Sequence, residues 1–134
     1  MPVSETYVID YLLRETESGP SAMDWSESES SGFESVLNGV RVQMYSVQSM
    51  AGPRLCLEFG LAHDKVYIQE PSKVAFFGCP YRNEQEAELA ARLHELYAAI
   101  ARQVRRRHEE ASEHEVQIRE SIFRKILFGV SPPG

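Results

Sequence analysis

The stretch that decides the fold runs from Asn83 to Phe128: NEQEAELAARLHELYAAIARQVRRRHEEASEHEVQIRESIFRKILF. Asn83 with Glu86 three residues later is a helix-start signature, in which the amide side chain accepts from an otherwise unpaired backbone N–H. Glu84, Glu86 and Glu88 put negative charge at the positive end of the helix dipole. Leu89, Leu93, Leu96, Tyr97, Ile100 and Val104 then recur at spacings of three and four, an apolar stripe along one helix face. A second stripe, Ile118, Ile122 and Ile126, is flanked by Phe123 and Leu127. Gly129 suits a C-cap, and Pro132-Pro133 forbids continuation.

At 100° per residue the two stripes stay in phase, Ile118 falling within about 20° of Leu89. One helix over this stretch would be about 67 Å long, whereas a compact chain of this size has a radius of gyration of only ~14 Å. An unbroken helix must therefore overhang its own domain, and its distal stripe then needs another chain to cover it. The alternative is two helices bent near Ser112, where Ser112 and Glu115 form a possible second capping box. The lack of Gly, Pro or Asn between 105 and 115 favours continuity, and ordinary helix lengths favour the bend.

Upstream, residues 36–82 read as an antiparallel meander. Asn38-Gly39 is a turn signal, after which Val40, Val42 and Met44 alternate with Arg41, Gln43 and Tyr45. Gly52-Pro53 reads as the next turn. Leu55, Leu57, Phe59 and Leu61 then alternate with Cys56, Glu58, Gly60 and Ala62, a central strand with both faces at least partly covered. The short His63-Asp64-Lys65 connection leads to Val66–Glu70, and Val74–Phe77 offers a further short strand. The expected class is α+β: an antiparallel sheet of three to five strands, with the C-terminal helix, or two helices, packed on one face.

Residues 1–14 form an N-terminal strand or short helix. Tyr7, Ile9, Tyr11 and Leu13 alternate, which favours the strand, while Ser4 could instead cap a helix. Residues 15–35 hold many serines and acids and little to bury, and read as a flexible acidic linker. Within it Met23, Trp25 and Phe33 are the exceptions: such residues can anchor in a partner's groove, and the favoured reading is that Trp25 and Phe33 tack the loop onto the domain's own surface. Residues 36–129, with or without 1–14, make a single domain.

The chain has 134 residues, 43% of them hydrophobic, and a net charge of -6. That is enough for a core without metals or disulfides. The acidity is local: residues 1–34 hold eight acids against Arg14 alone. No apolar run approaches the ~20 residues that span a bilayer. No signal peptide is evident at the N-terminus, and two cysteines make no disulfide framework. The expectation is a reduced, cytoplasmic protein with no membrane partner.

The common catalytic and cofactor motifs are missing from the sequence: no glycine-rich phosphate loop, His-Glu-x-x-His, Cys-x-x-Cys or Gly-x-Ser-x-Gly. No cofactor is expected. His108 and His114 with their neighbouring glutamates resemble metal ligands, but six residues apart they diverge around a helix, so no metal is expected either. Glu58 and Glu70 could pair for acid–base work, although cross-strand surface pairing fits them better. Arg102, Arg105, Arg106 and Arg107 form an anion- or partner-binding candidate, which the acidic N-terminal segment could cover. Cys79, preceding the helix, is a weak nucleophile candidate with His63 and Asp64 as the only adjacent His-Asp pair.

The expected function is a non-catalytic protein-interaction or assembly module, self-associating as a homodimer through Ile118, Ile122 and Ile126, with another protein as a further possible partner. The alternatives are a nucleic-acid-binding module using the arginines, not favoured, and a small cysteine-dependent enzyme. On the favoured reading Cys79 is an ordinary thiol, and iodoacetamide should alkylate it no faster than free cysteine at pH 7. Rapid modification of Cys79 over Cys56, mapped by peptide mass, would put the enzyme reading first.

Overall fold

The computed structural model describes residues 2–18, 23–29, 31–50, 52–73 and 81–129. The elements run α1 (Glu5–Glu17), β1 (Ser26–Glu27), β2 (Phe33–Leu37), β3 (Val40–Ser49), β4 (Gly52–Leu61), β5 (Asp64–Gln69) and α2 (Glu84–Phe128). The class is α+β. The five strands pair in sequence order, every neighbour antiparallel.

Local sequence explains the meander. Asn38 and Gly39 both take positive φ, 51° and 79°, the pair that a two-residue hairpin needs to match strand twist. Gly52 and Pro53 open β4, with Ser49 facing Gly52, rather than forming the turn expected there. Gly32 admits no side chain, because a Cβ would meet the Met44 carbonyl oxygen at 2.5 Å. On the sheet face toward the helices, Val42, Met44, Leu55, Leu57 and Ile68 are buried against Ile9, Leu12, Leu93, Leu96, Ile100 and Val104. Cys56 is buried from the opposite side, so β4 is covered on both faces, as its sequence implied. The strand expected at Val74–Phe77 lies outside the described residues, as do Pro132 and Pro133.

Residues 6–14 are helical, which corrects the strand reading. Ser4 Oγ accepts from the Tyr7 N–H at 3.2 Å, and Ile9, Leu12 and Thr16 are the buried face. A strand would have sent both Tyr7 and Tyr11 to the same side as Ile9. The helix leaves both tyrosines exposed and presents the smaller Ile9–Leu12 ridge to the core. Asp10 pairs with Arg92, which ties α1 to α2.

For the described residues of 15–35 the flexible-linker reading is also corrected. Its first residues finish α1, and Trp25 is 0% exposed with Met23 beside it in the core. The segment does not rely on its own apolar content. It borrows the core already built by the helices, which offsets the entropy of ordering it. Trp25 Nε1 donates to Thr16 Oγ1 at 2.9 Å, and the Trp25 backbone N–H donates to Gln103 Oε1 at 2.9 Å. Gln103 Nε2 in turn donates to the carbonyls of Met23, at 2.8 Å, and Thr16, at 3.2 Å. Phe33 packs its ring against Tyr97 of α2 at 5.6 Å between centroids.

α2 is one unbroken helix of 45 residues, about 67 Å long. The Asn83 side chain accepts from the Glu86 N–H at 2.9 Å, and Gly129, at φ 65°, closes the helix with its N–H on the Lys125 carbonyl. Ser112 does not start a second helix, since nothing between 105 and 115 disfavours the helical backbone. Trp25→Ala should cost about 3–5 kcal/mol of stability, and Gln103→Leu, which strands the Trp25 N–H, about 1–3 kcal/mol. Both are read from urea denaturation. A Trp25→Ala midpoint equal to wild type would return the segment to the status of a solvated linker.

Candidate interface

The core ends at Val104. Beyond it α2 continues for six turns, and its residues are exposed apart from a partly shielded Ser121. Ile118, Ile122, Phe123, Ile126 and Leu127, with Val116 and Phe128, are between 47% and 75% exposed. This is the stripe that the sequence singled out. The tertiary structure leaves it in water, because the sheet is too short to reach it. Two polar contacts run along this segment: Arg124 donates to Glu120 at 3.0 Å, and the Arg119 guanidinium lies 5.1 Å from the Phe123 ring centre. Among the described residues, no hydrogen bond or ion pair joins a residue beyond His108 to another element.

The root of the overhang is a cleft of about 220 Å³ lined by Trp25, Ser26, Glu27, Val104, Arg107, His108 and Ala111. Val104, His108 and Ala111 lie within one face of α2, the face that carries Ile118, Ile122 and Ile126 two to four turns later. The cleft therefore opens onto the apolar stripe. The sequence reading missed it, because its floor is Trp25, assigned there to a linker. The signal was available: this is the only Trp of the chain, placed in a segment with almost nothing else to bury.

The four arginines do not make one patch. Arg107 donates to Asp24 at 2.7 Å and to the Trp25 carbonyl at 2.8 Å, and Arg102 reaches Glu17 at 3.4 Å. His108 faces Glu27 at 3.6 Å. Acids of the N-terminal region thus lie against the arginine stretch, at three specific points. Arg105 and Arg106 point elsewhere, and no ion pair links them to a described residue.

His63 and Asp64 sit at the β4–β5 turn and are exposed, and Cys79 lies outside the described residues. Glu58 and Glu70 fall on opposite faces of the sheet. Glu58 faces Tyr67 and Gln43 in register and accepts from the Tyr45 hydroxyl at 3.1 Å. The Cys56 thiol, burial and Glu58 together push the Tyr45 phenol far above its ordinary range. Among the described residues, no group of three or more His, Cys, Asp or Glu side chains could hold a metal ion.

Glu70 is 2% exposed and fully used. It accepts from the Leu55 N–H at 3.1 Å, His94 Nε2 at 3.1 Å and the Tyr81 hydroxyl at 3.2 Å. Arg54 holds its backbone carbonyl with two donors, at 2.6 and 2.8 Å. Burial alone would raise the Glu70 pKa. The Leu55 N–H, His94 and Tyr81 outweigh it and hold the carboxyl below its usual value. With its oxygens engaged by these three donors, Glu70 is a lock between the end of β5 and α2.

Because the folded pKa of Glu70 is lowered, its contribution is present above the unfolded carboxyl value and is lost as pH falls through the folded one. Glu70→Gln should cost about 1–3 kcal/mol at pH 7. The gap to wild type should narrow below about pH 4. Denaturation midpoints of both proteins at pH 7, 5 and 3 check this, and a gap independent of pH would overturn the assignment of an ionised Glu70.

No protein-family model matches the chain, and no curated protein and no solved structure matches it, so its function is argued from this geometry alone.

Proposed function

We propose that this protein is a non-catalytic assembly module that self-associates through the overhanging half of α2. The observation that carries the reading is the apolar stripe on a helix that has left its own core. Isolated apolar residues on a surface need no explanation, but a contiguous stripe of this kind marks an interaction site. A second copy supplies the same stripe, and two-fold pairing buries both at once.

Other features support the reading. Among the described residues no helix is long and apolar enough to cross a membrane. Cys56 is an unbridged thiol, as a protein working in the cytoplasm would carry. The nucleic-acid reading loses two of its four arginines to Glu17 and Asp24, and Glu109, Glu110, Glu113 and Glu115 follow directly on the others.

Each buried isoleucine contributes about 1.5–3 kcal/mol, and a two-fold interface counts it twice. Ile122→Asp should therefore weaken association at least ~100-fold. The wild-type chain should scatter light with twice the monomer mass at tens of micromolar, and the variant with the monomer mass. The helical circular dichroism of the variant should persist below its melting transition. A wild type that is monomeric at that concentration would overturn the proposal.

A further inference from the structure

We propose that the second copy docks antiparallel, with the apolar tip of each α2 seated in the Trp25 cleft of the other. This rests on the self-association reading and specifies its geometry. The first observation is the cleft itself. It opens at the root of the overhang, on the stripe face, with Trp25, Val104 and Ala111 as apolar walls. The apolar tip, Ile126 and Leu127, lies at the other end of the same segment. An antiparallel pair centred near Gln117 brings each end to the other, with Ile126 of one chain beside His108 of its partner.

The charge order leads to the same register independently. Along the overhang, Glu109, Glu110, Glu113 and Glu115 come first, and Arg119, Glu120, Arg124 and Lys125 follow, with Arg124 already paired to Glu120. Centring on Gln117 sets Arg119 beside Glu115 across the pair, and Lys125 on the same side of the stripe as the partner's Glu110. A parallel pair would put like charges side by side along the same stretch, which is destabilising.

Sterics agree as well. The sheet covers the stripe face of α2 from Leu89 to Val104, so a parallel partner on that face would run into it. In the antiparallel register the partner's Val104, and with it the partner's sheet, falls just past Phe128, where this helix ends. Each overhang fills the space that the other leaves. A lipid surface would also accept an apolar stripe, but Glu110 and Glu115 match Lys125 and Arg119 of a second copy and would repel an anionic membrane.

The test uses the unaltered full chain. Lys125 and Glu110 are 15 residues apart on one rigid helix, about 22 Å, and no zero-length link can join them within a chain. A carbodiimide, which couples an amine directly to a carboxylate, should give a dimer band containing peptides that join Lys125 to Glu110. In a second arm, Lys125→Glu and Glu110→Lys should each weaken association several-fold, and the doubly swapped chain should recover it.

A dimer by light scattering without these links and without recovery would overturn the antiparallel register and leave self-association standing. A monomer would overturn both. In that case co-sedimentation with vesicles containing anionic phospholipid would assign the stripe to a membrane surface.

Discussion

One amide side chain holds the domain together at its busiest point. Gln103 of α2 accepts from the Trp25 N–H and donates to the carbonyls of Met23 and Thr16, so three segments distant in sequence share one hydrogen-bonded node. Thr16 extends it by accepting from the Trp25 indole while donating to the Leu12 carbonyl at 2.7 Å. Buried polar groups are costly unless paired, and here each is paired by a neighbour that is itself held. No buried side-chain nitrogen or oxygen among the described residues is left without a partner. The node closes the sheet onto the helices and fixes where α1 and the segment after it can lie.

The same node sets where the domain stops. Arg107, one turn beyond Gln103, ties to the Trp25 carbonyl and Asp24, and His108 lies near Glu27. Past these contacts, among the described residues, α2 has no further element to pack on. Its backbone nevertheless stays helical, because the residues there are good helix formers and each turn is satisfied internally. The result is a rigid rod carrying an apolar stripe away from the core.

Charge plays a positional role rather than a global one. The acids of the N-terminal region are spent at specific points: Asp10 on Arg92, Glu17 on Arg102 and Asp24 on Arg107. Exposed pairs of this kind contribute little stability each. They do specify which face of α2 the N-terminal segments meet. The net charge of -6 therefore says little by itself, because the acids act through where they lie.

The sequence by itself determined that Asn83 to Gly129 is helical, the meander that precedes it and the apolar stripe at Ile118, Ile122 and Ile126. Each of these rests on a local rule: cap chemistry, a period of two or 3.6, or a turn that needs positive φ at Asn38 and Gly39. The tertiary structure alone decided what local rules leave degenerate. The alternation at Tyr7–Leu13 satisfied both a strand and a helix, and only packing against Leu93 and Leu96 selects the helix. A Ser- and Glu-rich segment looks unable to order itself, and it does not; it is ordered by a core built elsewhere, into which Trp25 fits. Whether α2 bends at Ser112 likewise had no local answer, since both shapes bury a stripe. The Trp25 cleft and the Glu70 lock were illegible for the same reason. Each joins residues far apart in the chain, and their contacts exist only once helix, strap and sheet have met.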